Sequence, residues 1–105
     1  MMVDEFRKVL KERMETDDDW AYEVGKCWKQ EVEILSRNMN ETIDFLLNDC
    51  TEDEFSWISE VCEEVTEKTK SADFVKALHF LAEKYPEETE KYNIMSFINT
   101  CDLIL

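Results

Sequence analysis

Apolar residues recur along the chain at three- and four-residue intervals, the period of an amphipathic helix. Val3, Phe6, Val9, Leu10 and Met14 predict a first helix. The acids Asp17, Asp18 and Asp19 follow, suited to an N-cap and a negative first turn. Trp20, Val24, Cys27, Trp28, Ile34 and Leu35 predict a long second helix, with Glu31 the one gap in its stripe. Asn38 and Asn40 break it, and Asn40 can cap a short third helix carrying Ile43, Leu46, Leu47 and Cys50. Thr51 and Glu54 form a capping box, the clearest boundary in the chain. The fourth helix then carries Phe55, Ile58, Val61, Cys62 and Val65 on one face. Ser71 caps a fifth with Phe74, Val75, Leu78, Leu81 and Ala82. Tyr85-Pro86 ends it, because proline disfavours helix in the residue before it and suits the first turn of a new one. Ile94, Phe97, Ile98 and Cys101 predict a last short helix. The expected fold is all-α: a single helical domain over residues 1–105, a compact array of about six helices packed as antiparallel αα-hairpins.

Composition supports helices over strands. The 105 residues include one Gly and one Pro, too few for the turns of a β-protein. Three Trp, three Tyr and six Phe supply a core that disordered chains lack. No apolar run approaches the roughly 20 residues needed to cross a bilayer, so no membrane partner is expected. The acidic, apolar-poor N-terminus does not read as a secretory signal. Cys27, Cys50, Cys62 and Cys101 are widely spaced, with no CxxC pair, and are expected to be reduced, mostly buried thiols in a cytoplasmic protein.

Charge changes the picture more. The formal net charge is −14, and no basic residue occurs between Arg37 and Lys68. That stretch holds ten acids, leaving only −4 for the rest of the chain. On the predicted fourth helix, Asp53, Glu60, Glu63, Glu64 and Glu67 fall opposite the apolar arc. Glu60 and Glu64 are four apart, as are Glu63 and Glu67, and like charges at that spacing destabilise a helix by roughly 0.2–0.5 kcal/mol per pair. Trp57 falls at the border of the two arcs. A solvated face is the plain account of such acidity. The basic-free stretch, the repeated Glu–Glu spacing and the aromatic at the border favour a protein-binding surface instead. The candidate partner-binding residues are Asp44, Asp49, Asp53, Trp57, Glu60, Glu63, Glu64 and Glu67.

Catalytic and cofactor chemistry finds little footing. His79 is the only histidine, and Lys76 stands where a Glu-x-x-His di-iron pattern needs its Glu. We read His79 as a partly exposed structural residue. The Asp17–Asp19 run lacks the alternation and glycine of a calcium loop. Gly25, the only glycine, cannot make a phosphate loop. Nucleic acid would meet a negative surface. The chain is therefore expected to be a non-enzyme that needs no cofactor or metal.

Four stretches carry a family resemblance: Glu41-Thr42-Ile43-Asp44-Phe45-Leu46, Glu54-Phe55-Ser56-Trp57-Ile58-Ser59-Glu60-Val61, Leu81-Ala82-Glu83-Lys84-Tyr85-Pro86-Glu87-Glu88, and Tyr92-Asn93-Ile94 with Ser96-Phe97-Ile98. Over roughly the C-terminal two-thirds, the chain resembles the small acidic helical immunity proteins of bacterial polymorphic-toxin and contact-dependent growth-inhibition systems. Cys62 departs from the aromatic expected after Val61. The resemblance implies a cytosolic inhibitor that binds a cognate toxin domain, often a nuclease with a basic groove. A helical chaperone or adaptor for another basic protein is the alternative that the charge pattern leaves open.

Overall fold

Eight helices and no strand make up residues 2–105, the part of the chain described by the computed structural model. They are α1 (Met2–Glu15), α2 (Ala21–Arg37), α3 (Met39–Asn48), α4 (Glu52–Ile58), α5 (Cys62–Thr69), α6 (Ala72–Lys84), α7 (Pro86–Lys91) and α8 (Ile94–Ile104). The Cα radius of gyration is 12.7 Å, close to the ~13 Å of a single domain this long. The all-α class stands; the helix count rises from about six to eight.

Two differences account for the count. The expected fourth helix is interrupted at Ser59–Val61 and becomes α4 and α5. Its apolar positions continue across the gap, and neither Gly nor Pro marks it. The Ser56 hydroxyl donates to the Asp53 carbonyl and the Ser59 hydroxyl to the Ser56 carbonyl, local bonds that compete with regular helix. The second difference is α7, a short helix that Pro86 opens as its first residue.

The predicted boundaries fare unevenly. Thr51 and Glu54 form the full capping box of α4, and Ser71 caps α6. Asn38, not Asn40, caps α3, its side chain accepting from the Glu41 N–H. The aspartates do not cap α2. Asp17 accepts from the Asp19 N–H, and Trp20 precedes α2 at 62% exposure instead of packing in the stripe. The Lys70 backbone ends α5 in the left-handed region, φ 51°.

Packing departs from a chain of successive hairpins. α1 lies against α2, but then α2 meets α5, α3 meets α6, α4 meets α7 and α5 meets α8, each helix reaching the third one along. Short α4 and α7 cannot bury a face by pairing only with their neighbours. They lie as helices of seven and six residues over a common core of Phe6, Phe45, Phe55, Phe74, Leu78 and Ile98. Polar stitches close this core: the Thr42 hydroxyl donates to the Leu35 carbonyl at 2.7 Å and the Tyr85 hydroxyl to the Cys50 carbonyl at 2.9 Å. All four cysteines are free and buried. Burial pushes the Cys50 thiol up to about 12. No described helix is long and apolar enough to cross a membrane.

Candidate partner-binding groove

α1 supplies the basic groups that the middle of the sequence lacks. Its apolar face runs Phe6, Leu10 and then Arg13, which is only 5% exposed, while Met14 turns outward. Arg13 thus takes the place predicted for Met14. Its guanidinium grips Glu60 with two bonds, Nε to Oε1 at 3.2 Å and Nη2 to Oε2 at 2.8 Å. Nη1 reaches Asp18 at 3.0 Å. The same group lies 5.0 Å from the Trp57 ring centre and 6.0 Å from that of Trp28. The Trp28 indole N–H donates to Glu60 at 3.2 Å. Burial opposes the Arg13 charge, but the bonds and attraction of Glu60, then Asp18, hold its pKa above the ordinary value.

Glu60 is therefore not the free acid of a solvated helical face. It sits in the turn after α4, half-buried and committed to Arg13 and Trp28. Because that turn interrupts the helix, Glu60 and Glu64 are not successive turns of one acidic stripe.

Beside this cluster opens a groove of about 360 Å³. Arg13 and Glu60 line one part of it, and Asp18 and Asp53 contribute further carboxylates. Trp57, Tyr92 and Phe97 provide its aromatic surface. Tyr92 closes α7 and Asn93, in the left-handed region at φ 52°, turns the chain into α8, where Phe97 follows one turn on. Asparagine tolerates that conformation better than most residues.

No family model matches the chain, and no curated protein or solved structure matches it either. The site is therefore read from its own geometry.

Of the eight sequence candidates, Asp53, Trp57 and Glu60 share the groove. The rest do not line it. Asp44 lies exposed on α3, accepting from Asn48. Asp49 ends α3 with its carbonyl accepting from Arg7 at 3.3 Å. Glu63, half-buried, and Glu64 and Glu67, both exposed, lie on α5. The groove residues outside the sequence candidates are Arg13, Asp18, Ser56, Ser59, Tyr92 and Phe97. A signal for Arg13 was present: positions 6, 10 and 13 follow helical spacing as well as 6, 10 and 14.

Glu31, the gap in the α2 stripe, is 1% exposed, and neither carboxylate oxygen has a hydrogen-bond partner. Burial first, and the Glu60 charge second, push its pKa up to about 8, with Arg13 pulling the other way. The site thus favours the protonated form of Glu31. His79 is partly exposed, with Nε2 3.0 Å from Asp102. Among the described residues, no group of three or more His, Cys, Asp or Glu side chains is placed to hold a metal ion.

Proposed function

We propose that this chain is an immunity protein that binds a basic toxin domain inside the producing cell and blocks it without chemistry of its own. The observation that carries the reading is the groove, where carboxylates outnumber the one guanidinium three to one around Trp57. An aromatic anchor beside charge of one sign is the combination by which interfaces gain both residence time and fast encounter. Asp53, Glu63, Glu64 and Glu67, none with an ion-pair partner among the described residues, extend the negative field over α4 and α5. A toxin with a basic substrate groove would meet that field where a phosphate backbone otherwise lies.

The test is expression of this chain together with the toxin domain encoded beside its gene. Growth protection, and a one-to-one complex that weakens as salt rises, are the expected results. Charge reversal at Glu63 and Glu64 should slow association and flatten its salt dependence, whereas Trp57→Ala should act mainly on dissociation. Tight binding to a basic protein with no protection would replace the immunity reading with the chaperone or adaptor one.

A further inference from the structure

We infer that the groove between Asp53, Trp57 and the Tyr92–Phe97 turn is a seat for one arginine side chain of the partner protein. The inference rests on the partner-binding reading for who carries the arginine; the seat itself rests on the groove.

Its chemistry is selective. The Asp53 carboxylate is exposed and has no bonding partner among the described residues. The Asp18 side chain is 85% exposed and spends one oxygen on Arg13, leaving acceptor capacity toward solvent. Trp57, Tyr92 and Phe97 bring aromatic surface to the same opening, and Tyr92 and Phe97 remain well exposed. Exposed aromatics beside one unpaired carboxylate and one partly used one offer a cation both a π face and a counter-charge. A volume of about 360 Å³ lies at the small end of ligand sites and suits one long side chain better than a cofactor.

The chain already holds one arginine by the same chemistry. Arg13 sits against Trp57 and Trp28 while Glu60 holds it with two bonds. A planar guanidinium can stack and bridge carboxylates at once, which a lysine ammonium cannot do as well. An incoming arginine would meet the remaining acceptors, Asp53 and the outward side of Asp18, over Phe97 and the part of Trp57 that Arg13 leaves open, while Lys91 Nζ already lies 5.1 Å from the Tyr92 ring centre. An anion is disfavoured there, because the Arg13 charge is already matched by two carboxylates.

The experiment uses the full chain and N-acetyl-arginine-N-methylamide as the probe, titrated at low salt while the three Trp indole N–H resonances are followed by NMR. Trp57 is assigned with Trp57→Phe. The citrulline analogue keeps the shape without the charge, and the lysine analogue keeps the charge without the plane. The expected result is a saturable shift at Trp57 with the arginine compound, about tenfold weaker binding of citrulline, and weaker binding of lysine. Asp53→Asn, an exposed change that leaves the fold intact, should weaken the arginine compound roughly threefold. Glu83→Gln, exposed on α6 and outside the groove, should leave it unchanged. Equal binding of arginine and citrulline, equal binding of arginine and lysine, or shifts confined to Trp20 would each overturn the inference. Probe binding without growth protection would sink the immunity reading and leave the seat standing. Protection without probe binding would do the reverse.

Discussion

Two arginines of α1 pair with two glutamates at the same separation, 47 residues on, yet the two pairs differ in kind. Arg7 meets Glu54, and Arg13 meets Glu60. The first pair is a clamp on secondary structure. Glu54 already completes the α4 capping box by accepting from the Thr51 N–H at 3.0 Å, and Arg7, largely in solvent, adds a 2.7 Å bond to it. Although burial would raise the Glu54 pKa, the Arg7 and Thr51 bonds hold it below the ordinary carboxylate value. In the second pair the arginine is the buried partner, wrapped by Trp28 and Trp57, with Glu60 half-buried and an unpartnered Glu31 near by. Every acceptor at the first pair has a job within the fold. At the second, carboxylates exceed what the fold uses. That excess distinguishes a groove able to receive a cation from a simple surface staple.

The largest expected effect separates the pairs by stability. Arg13→Met strands Glu60 in a half-buried site and should cost about 3–5 kcal/mol. Arg7→Met leaves Glu54 capped and should cost about 1 kcal/mol or less. Urea unfolding of both variants measures the contrast, and equal losses would erase it.

Glu31 sharpens the second region. Its pKa is raised in the folded state, so the proton is held more tightly there than in the unfolded chain. The favourable contribution is complete below the unfolded value of about 4.5 and is lost as pH rises toward about 8. Glu31→Leu removes that loss along with two unpartnered oxygens. The variant should gain on the wild type by roughly 2–4 kcal/mol between pH 5 and pH 8. A pH-independent difference would mean that Glu31 is ionised or hydrated within the fold. Glu54 works in the opposite sense: its lowered pKa contributes stability above about 4.5 that is lost as acid protonates it.

A smaller test belongs to the first region. Thr51→Ala removes the hydroxyl that accepts from the Glu54 N–H at 3.2 Å and should cost about 1 kcal/mol. The probe affinity of the groove should not change. Smallest is Gly25→Ala, outside both regions. A Cβ there meets nothing within 4 Å, and the helical glycine should yield about 0.5–1 kcal/mol of stability on replacement. Thermal unfolding reads both.

The difference between the pairs also explains what the sequence made legible. Local signals carried the capping half of the first region: Thr51 and Glu54 are three apart, and their box is where it was expected, whereas the Arg7 contact, 47 residues away, had no local signal. The second region joins α1, the Asp17–Trp20 link, α2, the α4–α5 turn and the α7–α8 turn, and no local pattern encodes that convergence. The basic-free stretch from Arg37 to Lys68 looked more acidic than it is, because Arg7 and Arg13 reach two of its glutamates from far along the chain. The α4–α5 break was hidden because Phe55, Ile58, Val61, Cys62 and Val65 keep helical spacing across it. Glu31 stood out as a gap in a stripe, but whether such a residue faces solvent or core depends on what packs over it. Here the answer is the core, beside an arginine.

The most direct test of a partner-binding role is the association rate between this chain and the basic partner domain it is proposed to bind, measured across a salt series for the wild type and Asp53→Asn. The account predicts a rate that falls steeply with salt in the wild type and less steeply in the variant. An association rate indifferent to salt and to Asp53, in a complex that forms nonetheless, would contradict it and place the contact surface elsewhere on the molecule.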